Sequence, residues 1–277
     1  MAFTASNKTY DGNTTANVTL TFSGVIDGET VNNSTNSSTF NNKNADSGKT
    51  VTVNSITLND TNYSISSGQT TTANIIAKAL TVSGITASNK TYDGNAIATL
   101  STASASYDGL VSGDDLTVSA SGAFSNKNVG TGKTVTLTSS YSGNDISNYS
   151  IIDQSSTTAN IIAKALTVSG ITASNKTYDG NTLATIDVAS ASYTGLVDDD
   201  SFAVAASGVF NNKNVGTDKT VALTSTYSGD DIANYSITNQ SSTSANIVQL
   251  SSVTWTGDGE GDTWSTAANW TSSAIPR

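Results

Sequence analysis

Lys133-Thr134-Val135-Thr136-Leu137 alternates polar and apolar side chains, with β-branched residues at three of the five positions. Successive strand residues point to opposite faces, so Val135 and Leu137 share one face and the threonines the other. The stretch therefore reads as a half-buried β-strand. Val51 with Val53, and Val221 with Leu223, stand in the same pattern elsewhere in the chain. Working outward from Lys133, Leu80–Ala87, Ile97–Tyr107, Asp115–Ala120, Tyr149–Ile152 and Ala159–Thr167 are further predicted strands. Asp93-Gly94, Asp108-Gly109, Ser112-Gly113-Asp114, Gly130-Thr131-Gly132 and Ser142-Gly143-Asn144 supply turn chemistry between them. No window sustains an apolar period of 3.6; Asn144–Tyr149 has room for a single helical turn. The spacing fits a small β-sandwich, with a β-grasp-like domain as the alternative.

The pattern recurs because the chain is an internal triplicate. Asn-Lys-Thr-Tyr-Asp-Gly-Asn occurs at Asn7–Asn13, Asn89–Asn95 and Asn175–Asn181. Phe40, Phe124 and Phe210 keep the same register, as do Tyr63, Tyr149 and Tyr235 within Asn-Tyr-Ser-Ile. A period above 80 residues exceeds one solenoid coil and suits a small domain. The predicted domains are 1–84, 85–170 and 171–249. No Pro- or Gly-rich linker separates them, so the expected assembly is an elongated, monomeric rod. Residues 250–277 differ in composition: all three tryptophans, Trp255, Trp264 and Trp270, lie there. They read as the start of a further module, cut off at Arg277.

Composition removes several function classes. The chain has 277 residues with no histidine and no cysteine, which excludes Ser-His-Asp and Cys-His catalysis, disulfides and the usual zinc sites. The net charge of −10 leaves no basic footprint for nucleic acid. No 18-residue apolar run exists, so no transmembrane helix is expected. Only two glutamates occur, Glu29 and Glu260, and neither recurs between repeats. Catalytic residues are therefore not assigned, and the chain is expected not to be an enzyme.

Three groups of residues invite a functional reading. The first is the repeated Tyr10-Asp11-Gly12, Tyr92-Asp93-Gly94 and Tyr178-Asp179-Gly180. Tyr with Asp suits a sugar-binding patch; the structural reading, a turn with a left-handed Gly beside a packed ring, is the favoured one. The second is the acidic set Asp114-Asp115, Asp199-Asp200 and Asp230-Asp231, weak candidates for calcium beside the favoured reading as solvated turn acids. No cofactor is assigned otherwise. The third is the lysines. All 11 occupy four slots per repeat, with Gln249 in the last slot. Such restriction points to structural roles, such as pairing with the Asp of the next turn or covering the core. An intramolecular isopeptide bond is the sharper alternative. Lys127 or Lys90 would join Asn126, Asn128 or Asp93, though their polar surroundings argue against it.

The Asn-Lys-Thr-Tyr-Asp-Gly-Asn phrase, the Asn-Lys-Asn-Val-Gly and Asn-Tyr-Ser-Ile landmarks and the Ile-Ile-Ala-Lys-Ala-Leu-Thr-Val exit resemble the YDG-type repeat domains of bacterial surface proteins. The tail resembles a Trp-Thr-Gly…Trp…Asn-Trp…Pro motif of filamentous-haemagglutinin-like and autotransporter-like exoproteins. The resemblance implies three tandem Ig-like β-sandwich domains forming the stalk of a secreted Gram-negative adhesin at the bacterial outer surface. Partners would be host or neighbouring-cell glycans or proteins, met through other domains, with no nucleic acid and no membrane insertion. A binding role for the repeats themselves is the alternative. Absence of cysteine fits a chain that crosses the periplasm unfolded.

Overall fold

The computed structural model describes residues 2–252, 254–257, 259 and 264–269, with the side chains of 34–36 and 267 left aside; Glu260, Trp270 and Pro276 lie outside this set. Among the described residues there is no α-helix, only strands and three single turns of 3-10 helix, so the class is all-β. No helix among them is long and apolar enough to cross a membrane. Contacts divide the chain into two units. One comprises Met1–Ser88, Ile97–Ser125 and Thr134–Ala159; the other comprises Asn89–Ala96, Asn126–Lys133 and Asn160–Arg277. The first repeat lies wholly in the first unit and the third in the second, while the middle repeat contributes to both.

The third repeat shows the architecture. Its main sheet runs Lys176–Thr177, Ser242–Val248, Gly216–Ser228, Ala203–Phe210, Leu183–Ala184. The pairings are antiparallel except at one edge, where Lys176 runs parallel to Ile247. A three-stranded sheet places Lys164–Ser169 between Ser192–Thr194 and Tyr235–Thr238. The first repeat has the corresponding main sheet, Lys8–Thr9, Gln69–Ile76, Asp46–Leu58 and Asn33–Phe40. Each repeat is thus a sandwich- or barrel-like unit, as expected.

The alternation seen at Lys133 sets the inner face. Val51, Val53, Val135, Leu137 and Val221 are buried and Leu223 is half-buried. Each buried aliphatic contributes roughly 1.5–3 kcal/mol. The predicted strand over Lys133–Leu137 is the middle of a 13-residue strand, Gly130–Ser142, paired with Thr117–Phe124. Ile97–Tyr107 is not one strand but three short ones, Ile97–Ala98, Leu100–Ser101 and Ser106–Asp108. Ala159–Thr167 falls across two strands, Ser156–Ile162 and Lys164–Ser169, separated by Ala163 alone. The single turn expected in Asn144–Tyr149 is a 3-10 turn at Ile146–Asn148.

The strand Lys78–Ser83 precedes the boundary expected at Gly84, yet it pairs with Ser106–Asp108 and, in parallel, with Tyr149–Ile152. It is therefore part of the second repeat. Only Ala77 separates it from Gln69–Ile76, the last strand of the first repeat's sheet. A peptide this short cannot let the two repeats swing apart freely, and their cores merge: Tyr10, Phe40, Val51 and Ile75 belong to one buried apolar cluster with Leu80, Leu116 and Tyr149.

Candidate functional site

The repeated Tyr-Asp-Gly is half of a joint. In the first unit, the turn after Lys8–Thr9 brings Tyr10 against the second repeat. Its ring meets Tyr149 edge-to-face at 5.5 Å, and Tyr10 is 1% exposed. Its hydroxyl donates to the Asp114 carboxylate at 2.9 Å. The Tyr149 hydroxyl donates to the same carboxylate at 2.6 Å while accepting the Val111 N–H. Lys43 completes the group, its ammonium 3.1 Å from both Asp114 and Asp145. Asn148, 1% exposed, accepts the Ala45 N–H at 2.8 Å. Gly12 makes the approach possible: a Cβ built there would stand 2.8 Å from the Val111 side chain.

The second unit repeats the arrangement, with Val129 in the place of Ala45. Tyr92 and Tyr235 meet at 5.6 Å and both donate to Asp200. Lys127 bridges Asp200 at 3.2 Å and Asp231 at 2.8 Å. Asn234 accepts the Val129 N–H at 2.9 Å. A Cβ at Gly94 would stand 2.8 Å from Val197.

A buried carboxylate needs this many donors. Desolvation pushes the Asp114 carboxyl up, but the hydrogen bonds from Tyr149, Tyr10 and Lys43 outweigh it and hold it below the usual carboxylate range. The reverse holds for its donors. Burial, then the Asp114 carboxylate, pushes the Tyr149 hydroxyl up to about 12. Tyr235 beside Asp200 is likewise pushed to about 12. Hydrogen bonding to Tyr10, Asp145 and Asp114 raises Lys43. Asp114, Lys43 and Lys127 are thus held in their ionised forms, and the Tyr149 and Tyr235 phenols in their neutral forms.

The other repeated residues serve the turns. Lys8, Lys90 and Lys176 pair with Asp11, Asp93 and Asp179 at 2.6–2.7 Å, the pairing with the next turn expected of one lysine slot. Lys49, Lys133 and Lys219 donate to Asn42, Asn126 and Asn212. The nominal isopeptide partners are so engaged in ion pairs: Lys90 with Asp93, and Lys127 with the two aspartates of the third repeat.

The acidic candidates separate. Asp114 and Asp200 are the joint carboxylates, and Asp231 is the second acceptor of Lys127. Asp115 donates its N–H to Asp145. Asp199 takes the left-handed position, φ 70°, that Gly113 takes in the second repeat. Among the described residues no three acidic groups converge as a metal site would require. Sequence reasoning selected Tyr10, Tyr92, Asp114 and Asp200 but missed that they belong together. It missed Asn148 and Asn234 as joint residues, although their recurrence in Asn-Tyr-Ser-Ile was a signal.

The family description YDG domain matches residues 1–73, 76–159 and 162–245. The chain belongs to the YDG domain family. Each of the three YDG domains begins before its Tyr-Asp-Gly turn, so the joint is formed between consecutive YDG domains. No curated protein matches. Among solved structures, the crystal structure of Drosophila N-cadherin EC1-3 aligns over 89% of this chain and 98% of its own, at 8% identity and a TM-score of 0.25.

Proposed function

We propose that this chain is a spacer segment of a secreted bacterial surface adhesin, in which YDG domains are docked in series to hold an adhesive domain away from the cell. The observation that carries this reading is the twofold recurrence of one joint, built from the residues that the repeats share. A binding module would present those tyrosines and aspartates to a ligand. Here Tyr10, Tyr92, Asp114 and Asp200 are buried against the neighbouring domain. Such joints suit a segment that transmits position rather than chemistry, and we assign it no catalytic role. Absence of cysteine supports export through an oxidising compartment.

The test has two parts. The whole chain is applied to a glycan array and to host cells; no binding above an unrelated β-protein is expected. Protease shaving of intact producer cells is expected to release the segment. Saturable glycan binding that falls on Tyr178→Ala would replace the spacer with a binding module, and protection from shaving would remove the surface location.

A further inference from the structure

Two Asn-x-Ser/Thr triplets recur in register in all three repeats, and the structure gives them different fates. We propose that Asn7, Asn89 and Asn175, one in each repeat, are acceptor sites for N-linked sugar.

The triplet within Asn-Tyr-Ser-Ile serves the joint. In the second and third repeats Asn148 and Asn234 are 1% and 3% exposed, and each accepts a backbone N–H of the preceding repeat. An amide so enclosed is closed to a transferase. The other triplet, Asn-Lys-Thr, opens the repeated phrase at Asn7–Thr9, Asn89–Thr91 and Asn175–Thr177. Its three asparagines and its three threonines are all exposed. With lysine rather than proline in the middle, it has the form and the surface position of an acceptor.

The amide is presented by one of its two limbs. Asn7 Oδ1 accepts the Asn74 N–H at 2.8 Å. Asn89 and Asn175 accept the N–H groups of Asn160 and Asn246, both at 2.7 Å. A backbone N–H can meet only the oxygen of a carboxamide, so the limb left over is Nδ2. Among the described residues Nδ2 has no hydrogen-bond partner at any of the three sites. N-linked sugar is attached at Nδ2 and leaves Oδ1 an acceptor, so the anchoring bond survives the modification.

The threonine marks the phrase as more than a structural one. The fold uses the asparagine through the bond just given, and the lysine through its ion pair with Asp11, Asp93 or Asp179. The hydroxyls of Thr9, Thr91 and Thr177 have no partner among the described residues, yet threonine stands at all three places. A hydroxyl two residues after the asparagine is what the acceptor triplet requires.

The donor class is a sugar carried on phosphate at its anomeric carbon. Nδ2 forms a bond to that carbon and gives up one proton. The carbon–oxygen bond to the phosphate breaks, its electron pair leaving with the phosphate. The site also places the sugar usefully. Lys8–Thr9, Lys90–Thr91 and Lys176–Thr177 are edge strands of their main sheets. A bare edge is a template for pairing with another chain, and a sugar on the residue before it covers that edge.

Glycopeptide mapping of the protein recovered from the cells that produce it tests this. Sugar is expected on Asn7, Asn89 and Asn175 and not on Asn148 or Asn234. A single attached sugar marks transfer from a nucleotide-activated donor, and a preassembled oligosaccharide marks transfer from a lipid-linked one; both satisfy the proposal. Thr9→Ala/Thr91→Ala/Thr177→Ala, produced in the same cells, should lose the sugar while keeping the wild-type circular dichroism spectrum. Thr9→Ser/Thr91→Ser/Thr177→Ser should retain the sugar. Unmodified Asn7, Asn89 and Asn175 in the wild-type protein overturn the proposal, whatever the variants do. So does sugar that persists at these asparagines in the alanine variant.

Discussion

The Tyr10 hydroxyl and the Asp114 carboxylate are 104 residues apart in the chain and 2.9 Å apart in space. The same carboxylate takes Tyr149 and Lys43 as well, so one side chain of the second repeat terminates three donors from both sides of the joint. Asp114→Ala would leave two buried hydroxyls without an acceptor, at a cost of about 2–4 kcal/mol. Asp200→Ala should behave alike in the second joint. Glu29→Ala, at the equivalent but exposed position of the first repeat, should stay within about 0.5 kcal/mol. Urea unfolding of the three variants side by side gives the comparison; equal losses at Glu29 and Asp114 would contradict the joint.

Asn148 gives a second internal control. Its side chain is buried and satisfies the Ala45 N–H, whereas Asn62 at the same register is exposed. Asn148→Ala should therefore destabilise by about 1–3 kcal/mol, the cost of leaving a buried donor unpaired. Asn62→Ala should be nearly neutral. Thermal melts followed by circular dichroism distinguish the two. The same burial predicts that the Asn148-Tyr149-Ser150 sequon resists glycosylation in a glycosylating host, readable as intact mass.

The glycines of Tyr-Asp-Gly separate backbone strain from packing. Gly94 and Gly180 share φ of +82°, so an alanine at either is strained by about 1–3 kcal/mol. Only at Gly94 does the added methyl also meet a valine, 2.8 Å away. Gly94→Ala should exceed Gly180→Ala by about 1 kcal/mol or more in unfolding free energy. Equal effects would mean that the glycine serves its own turn alone.

Linkage fixes the pH window. Asp114 is held below the ordinary carboxylate range, so it contributes stability that is present above that range and lost as pH falls through the folded value. Tyr149 and Tyr235 are pushed up to about 12, so they contribute stability that is full below their ordinary value of 10.0 and lost as pH rises toward 12. The thermal midpoint should plateau between about pH 5 and 9 and fall on both sides. In Tyr149→Phe/Tyr235→Phe the alkaline fall should be shallower. An unchanged alkaline limb would remove the phenols from the account.

Much of each sandwich was legible in residue order. Val135 and Leu137 face inward because side-chain direction alternates along any strand, and that period survives in the bare sequence. The turn lysines were legible for a similar reason: Lys90 and Asp93 are three residues apart, close enough to meet whatever the rest of the chain does. What remained hidden were contacts between distant residues. The strand Ile97–Tyr107 breaks into three because its parts serve different sheets, and propensity does not carry that instruction. The boundary expected at Gly84 came from the repeated phrase rather than from pairing. Lys78–Ser83 is instead hydrogen-bonded to strands that begin more than 20 residues later.

Sequence alone determined that this chain is all-β, threefold repeated, without histidine or cysteine, and that its tyrosines, aspartates and lysines recur in fixed slots. Only the tertiary structure decided what the slots are for. Asp11 and Asp114 look alike as turn aspartates in the sequence, yet one is half-exposed beside Lys8 and the other is buried beneath three donors. The difference is desolvation. A carboxylate acquires its role from how much water is removed around it and which donors replace that water, and both depend on chain segments a hundred residues away.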